Sequence, residues 1–206
     1  MKRSVLCTLL LIALALTAGA QTFSVIPSAG ISKDMRSKVN EWKMGFNIAV
    51  GGFFKTSETF SIGGRIAYHS WSIDGEEWAK DLYTGYSSVT FDKVTGSQSV
   101  IEIMPSIKFL LTQSEGPIQL SLQAGVGLLF ISPSDVMVAI NYRTYNSTGH
   151  IETKVITSTV TGFGGQVGLP IAFSRRIEIL PLYTLYSAGG DLYHHYALNL
   201  GVVLGK

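Results

Sequence analysis

Apolar and polar positions alternate along most of the chain with a period of two, which is the period of a β-strand. In the clearest example, every second residue from Ile118 to Leu128 is apolar, and the residues between them are Gln, Ser or Gly. The pattern therefore predicts strands that each have one oily face and one small or polar face. Eight segments carry it: residues 22–32, 42–54, 60–69, 101–109, 118–130, 162–173, 177–187 and 196–205.

The segments between these predicted strands alternate in length. Short connections and longer ones follow each other along the chain, which is typical of outer-membrane β-barrels with turns at one rim and loops at the other. We therefore predict an all-β fold, an eight-stranded antiparallel transmembrane β-barrel with short periplasmic turns and long extracellular loops. The short connections are 55–58, 112–116 and 174–176, and the longer ones are 33–40, 74–96, 132–156 and 188–194.

The first residues have the layout of a secretory signal peptide. Lys2 and Arg3 precede a nearly unbroken apolar run over residues 6–16, and small residues follow it. The run is shorter than the roughly 20 apolar residues that a membrane-spanning helix needs. We predict that residues 1–20 are a cleaved signal peptide and that residues 21–206 form one barrel domain, exported to the bacterial outer membrane.

Composition supports a membrane barrel and argues against several other classes. Charged residues make up 15% of the chain, against about 25% in soluble domains. Loss of the two basic residues of the signal leaves 14 basic and 14 acidic residues, so the charge gives no reason to expect a nucleic-acid partner. The single cysteine, Cys7, lies in the signal, so the mature chain has no thiol for a disulfide or a nucleophile.

Aromatic residues collect at the ends of the predicted strands. Trp and Tyr lie near the longer connections, whereas Phe lies near the short ones. Aromatics favour strands in general, but that preference does not explain this sorting. We interpret the two groups as girdles at the two membrane interfaces. They comprise Trp42, Tyr68, Trp71 and Tyr196 at the loop rim, and Phe54, Phe60, Phe109 and Phe173 at the turn rim.

The predicted inward faces carry a small set of charges, which is costly in a narrow barrel unless the charges pair. We expect Glu102 to meet Arg65 or a lysine in the lumen. The network could be a gate or selectivity element, or a plug that stabilises the barrel. The plug is favoured, because an eight-stranded barrel is just wide enough for side chains to fill it. The predicted network is Lys43, Arg65, Glu102, Lys108 and Glu178.

Prolines interrupt four of the predicted strands. Proline has no N–H to donate, and a closed barrel has no edge strand to hide that loss. We therefore expect bulges or local register breaks at Pro27, Pro105, Pro170 and Pro181.

Two stretches resemble known strands. Residues 102–109 (EIMPSIKF) and 196–202 (YALNLGV) resemble strands of the small outer-membrane β-barrel family, which includes OmpA-like and OmpX-like eight-stranded barrels. The resemblance implies the fold, the outer-membrane location, contact with outer-membrane lipids, and assembly by periplasmic chaperones and the barrel insertion machinery. It implies no single activity. The chain departs from the family by ending in Leu204-Gly205-Lys206 instead of an aromatic residue, which affects the expected assembly signal.

No residue pattern indicates catalysis, a metal site or a cofactor. The four histidines, His69, His150, His194 and His195, show no ligand spacing to a carboxylate or cysteine. A lipid-modifying enzyme would need a Ser–His–acid group, but adjacent His69 and Ser70 point to opposite faces of one strand.

The loops offer the remaining candidate chemistry. Residues 74–96 are acidic with several aromatics, which suits an adhesive surface, a cation-bridged surface, or a loop packed on itself. Residues 132–156 have their own strand-like alternation and are predicted to project as a ribbon.

These observations favour a non-enzymatic outer-membrane barrel with a structural or surface-interaction role and a filled lumen. A small-solute channel is the alternative. A lipid-modifying enzyme is less favoured because the sequence shows no consistent Ser–His–acid triad. A soluble carrier barrel with its oily face turned inward is also less favoured, because the polar faces hold few charges for a water-facing surface. The sequence identifies no extracellular ligand.

Overall fold

The structure is a computed structural model that describes residues 22–36, 42–75, 89–113, 116–143 and 148–205. The predicted signal peptide lies outside these residues. No helix in the described ranges is long and apolar enough to cross a membrane. The strands are β1 (Phe23–Arg36), β2 (Gly45–Lys55), β3 (Phe60–Ser72), β4 (Val89–Thr95), β5 (Ser97–Leu110), β6 (Ile118–Pro133), β7 (Val136–Arg143), β8 (Thr148–Val155), β9 (Val160–Gly168), β10 (Ile171–Phe173), β11 (Ile177–Ala188) and β12 (Asp191–Val202).

Nine of these strands close into an antiparallel barrel. Their order is β1-β2-β3-β5-β6, then β9 with β10, then β11 and β12, and β12 pairs with β1 to close the circle. β9 and β10 occupy a single position, because each pairs with β6 on one side and with β11 on the other. The barrel therefore has eight strand positions among the described residues, and the predicted fold class is confirmed.

The two faces of the barrel wall differ as the sequence pattern predicts. Outward side chains such as Ile48, Ile66, Val126 and Leu200 are 54–60% exposed, and they belong to an apolar belt that runs round the barrel. Inward side chains are buried, and many of them are polar. An exposed apolar surface of this extent is what lipid covers in transmembrane barrels. The alternative of a soluble carrier with its oily face inward is therefore wrong.

Among the described residues, the connections follow the predicted rims with one exception. Turns 56–59 and 174–176 are short, and the segments after β3 and β6 on the opposite rim are long. The segment 188–194 was expected to be a longer loop, and this prediction is wrong. Gly189 and Gly190 form a tight hairpin turn with φ of 61° and 94°, a conformation that two consecutive glycines adopt without strain.

The long connections contain a second sheet. β7 and β8 form the ribbon that the alternation in residues 132–156 predicts, and β4 joins the free side of β7 to give the order β4-β7-β8. We call this three-stranded unit the outer sheet. It lies at the loop rim, because β4 leads into β5 and the β7–β8 hairpin connects the loop-rim ends of β6 and β9.

The prolines interrupt hydrogen bonding without shifting the register. Pairing between β5 and β6 skips Met104 and Pro105 and resumes at Ser106 in the same register. Pro170 separates β9 from β10, yet both pair with β6 and β11 in one continuous register. The expected bulges and register breaks at the prolines are therefore wrong. Each proline removes one N–H donor, and the neighbouring pairs on both sides hold the strand in place.

Candidate functional site

The barrel interior gathers polar side chains from three strands around one carboxylate. Ala67 of β3 pairs directly with Glu102 of β5, so Arg65 and His69, two residues on either side of Ala67, flank the carboxylate. The small alanine leaves the space in front of Glu102 open for these longer side chains. His195 of β12 completes the group from another part of the wall.

Glu102 is fully buried and contacts three potential cations. Its Oε2 lies 3.4 Å from Arg65 Nη1 and 3.4 Å from His69 Nε2, and its Oε1 lies 2.9 Å from His195 Nε2. Arg65 also donates from Nη2 to Asn199 Oδ1 at 3.2 Å. The predicted pairing of Glu102 with Arg65 is therefore confirmed. We call Arg65, His69, Glu102 and His195 the central cluster.

Two other predicted members of the charge network form a separate pair nearer the turn rim. Lys108 and Glu178 make an ion pair, and Lys108 Nζ lies 5.5 Å above the centre of the Phe53 ring. Lys43 belongs to neither group. It is exposed and precedes β2, so its prediction as a lumen residue is wrong.

On the loop side of the central cluster, aromatic rings close the interior. The Trp71 ring stacks on His69 with centroids 5.3 Å apart, and Tyr186 lies 5.8 Å from His195. Tyr186 also donates to Asp34, whose other oxygen accepts from Gln98 Nε2 at 3.1 Å. Every one of these side chains is at most 2% exposed, so they close the interior on the loop side of the cluster.

Two of the predicted interface aromatics lie inside the barrel instead of at the membrane. Trp71 occupies the same inward face as Arg65 and His69. Trp42 precedes β2, and it is buried because the pairing of this segment with the end of β3 contains a bulge. Trp42 pairs with Ile73, and Phe46 pairs with Ser70. Four residues along one segment therefore oppose three along the other, and this extra residue turns Trp42 from the outward to the inward face.

The other six predicted interface aromatics point outward. At the turn rim Phe54 packs on Phe23 with ring centroids 4.5 Å apart, and Phe60 pairs with Phe109 across β3 and β5. At the loop rim Tyr196 packs on Tyr183 at 5.0 Å. Tyr68, near the loop rim, and Phe173, near the turn rim, also lie on the outer face. Their role at the two membrane interfaces stays a prediction.

The placement of Trp71 predicts a distinct fluorescence behaviour. In a protein whose only tryptophan is Trp71, made by W42F and W78F, we expect brominated lipids to leave the emission nearly unquenched, because the wall separates the ring from lipid. A matched protein with Tyr68→Trp as its only tryptophan, on the outward face of the same strand, should be strongly quenched. Equal quenching of the two proteins would contradict the inward placement.

Sequence reasoning missed the two central histidines. His69 and His195 are fully buried against Glu102. His194, which precedes His195 in the sequence, lies on the outer face, and His150 lies on the exposed outer sheet. The burial of His69 could have been predicted, since it lies four residues from Arg65 in β3 and therefore on the same inward face. Linear ligand spacing could not reveal the group, because its members lie on three different strands. The facing atoms of His69, Glu102 and His195 are within 4.8 Å of one another, so these residues could hold a metal ion.

No protein-family model matches the sequence, and no curated protein matches it. Similar solved structures include neisserial surface protein A, at 13% identity and a TM-score of 0.47 over 90% of this chain and 99% of that one. They also include Ail, the attachment invasion locus protein of Yersinia pestis (10% identity, TM-score 0.48, 89% and 98% covered), and the outer membrane enzyme PagL (12%, 0.43, 87% and 98%). The predicted resemblance to small outer-membrane β-barrel proteins is confirmed for the fold, on the strand order and closure described above.

Proposed function

We propose that the protein is a non-conducting, non-enzymatic barrel of the bacterial outer membrane whose role is structural or lies in surface interaction through the outer sheet. The observation that carries this proposal is the filled interior. At the level of Glu102 the lumen is occupied by a paired arginine and two histidines, and Trp71 and Met104 fill the space beside them.

A small-solute channel is the competing function, and the packing disfavours it. A solute would have to displace side chains that are paired in a water-poor interior, and breaking a buried ion pair costs about 3–5 kcal/mol. The Lys108–Glu178 pair adds a second obstruction nearer the turn rim. With the lumen filled, the part of the protein available for interaction is the surface beyond the membrane.

The outer sheet supports a role in surface interaction because polar contacts join the two ends of its β7–β8 hairpin where it leaves the barrel. Lys154 of β8 lies 2.5 Å from Asp135, and the Thr157 N–H donates to the same carboxylate at 3.3 Å. The hydrogen bond from Lys154 lowers the pKa of Asp135 below its usual value. Exposed Ile151 and Met137 stand among polar residues, a mixture that suits contact with another macromolecule.

Single-channel recording tests the proposal directly. We expect the refolded protein to give no discrete conductance steps in a planar lipid bilayer. Insertion is verified independently by protection from protease and by the heat-dependent shift in gel migration that folded barrels show, and a porin refolded in the same way serves as the positive control. Stable, reproducible steps from inserted protein would overturn the proposal and establish the channel function.

A further inference from the structure

We propose that His69, Glu102 and His195 form a binding site for one first-row divalent transition-metal ion, with Zn²⁺ as the representative. The site lies inside the barrel and is independent of the proposed surface role. Two imidazole nitrogens and a carboxylate are a frequent three-ligand set for such ions, which leaves further coordination positions open.

The spacing of the ligand atoms fits one ion. His195 Nε2 lies 2.9 Å from Glu102 Oε1, and His69 Nε2 lies 3.4 Å from Glu102 Oε2. Ligands about 2.0–2.1 Å from a tetrahedral ion are separated by roughly 3.3 Å. One ligand atom from each of the three residues lies within 4.8 Å of the other two, so these atoms would move closer together around an ion. They come from three strands of a closed sheet, which holds them in place before any ion arrives.

The hydrogen bonding of the histidines is the second observation. The Nδ1 atoms of His69 and His195 have no hydrogen-bond partner, although each residue is almost completely buried. Their Nε2 atoms approach Glu102 at ion-pair distance but without hydrogen-bond geometry, and Oε1 of Glu102 accepts no hydrogen bond of good geometry either. Buried polar atoms nearly always have partners, so a group of ligand atoms left in this state indicates a missing one. A metal ion would satisfy the Nε2 atoms and Oε1 together.

The ligand chemistry selects the type of ion. Imidazole nitrogen favours Zn²⁺, Co²⁺, Ni²⁺ and Cu²⁺, whereas Mg²⁺ and Ca²⁺ require mostly oxygen ligands. The exposed carboxylates elsewhere on the barrel offer no comparable combination among the described residues, where this is the only group of three such ligands.

Arg65 limits the affinity of the site for a metal ion. Its guanidinium already occupies the Oε2 side of Glu102, and its positive charge opposes a second cation. Asn199 holds the other end of the guanidinium, which keeps Oε1 open toward His195. Arg65→Gln should therefore strengthen metal binding, while replacement of any of the three ligands should weaken it.

Trp71 and Tyr186 cover the cluster on the loop side, so the ion would be acquired during folding. The test therefore refolds the untagged full barrel domain into detergent micelles with Co²⁺ present. Free Co²⁺ is then removed, and the visible ligand-field absorption and the metal content are measured. We expect about one Co²⁺ per protein, displaced when Zn²⁺ is present during refolding.

Single substitutions at the histidines and at Glu102 test where the ion binds. H69Q, H195Q and E102Q should each lower affinity by at least about tenfold. H194Q, at the neighbouring residue on the opposite face, and H150Q should leave affinity unchanged. Gel migration and circular dichroism identify folded samples. If a ligand variant does not fold, the expected increase in metal affinity of R65Q still tests the proposal. No Co²⁺ retained by folded wild-type protein, or binding that only H150Q or H194Q removes, would overturn the proposal.

Discussion

Glu102→Ala is expected to destabilise the barrel by about 3–5 kcal/mol, because removing one partner of a buried ion pair leaves the other charge uncompensated. Arg65 is 4% exposed, and Glu102 is the only carboxylate within ion-pair distance of it among the described residues. His69 and His195 would lose their contact with the same carboxylate. Reversible urea unfolding in lipid vesicles, followed by tryptophan fluorescence, measures the change.

Glu152→Ala is the matched control for this substitution. Its side chain is 69% exposed on the outer sheet, and its ion contact is with His150 at 3.5 Å, so we expect a change below about 0.5 kcal/mol. The double substitution Arg65→Met with Glu102→Leu should recover much of the stability, because apolar residues of similar volume often replace a buried pair at little cost. A loss below 1 kcal/mol in Glu102→Ala would contradict the central role of this carboxylate.

The period-two pattern was sufficient to predict the wall of the barrel and part of its interior. Parity placed Arg65 and Glu102 on inward faces, and the energetic cost of a buried charge implied that they pair. The same parity also places His69 and Trp71 inside. The position of Trp71 near a strand end suggests the membrane interface, but its alternation with Arg65 and His69 places it on the inward face. The alternation is the more reliable signal, since a strand fixes the side of each residue but not its depth in the membrane.

The remaining differences depend on contacts between distant segments. The burial of Trp42 depends on a bulge that is defined only by its pairing with Ile73, one residue beyond β3. β4 depends on pairing with β7, which lies more than 40 residues further along the chain. Likewise, the convergence of His69 and His195 on Glu102 needs the closure of β12 onto β1. Local sequence periodicity indicates which face of a strand each side chain occupies, but it does not indicate which distant segments pair.

Gly127→Ala is expected to be a second severe substitution, for reasons of backbone packing. A Cβ atom at Gly127 would lie 2.0 Å from the Ile103 carbonyl oxygen and 3.1 Å from Met104 Cα. Both are backbone atoms of β5, so no side-chain rotation can relieve the overlap. This contact lies where the β5–β6 hydrogen bonding skips Met104 and Pro105, so the close approach of the two strands at the proline depends on the glycine.

The two strands would have to separate to admit the methyl group, and we expect a loss of about 3 kcal/mol, at the upper end of overpacking effects. Gly165→Ala is the control. The nearest atom to its Cβ is Gly125 O at 3.5 Å, and Gly→Ala changes in compatible sites are neutral or stabilising by about 0.4–1 kcal/mol through the unfolded state. The yield of heat-modifiable folded protein and the urea midpoint distinguish the two variants. Equal midpoints for Gly127→Ala and Gly165→Ala would show that β5 and β6 separate without cost, and that the filled interior does not depend on their close approach.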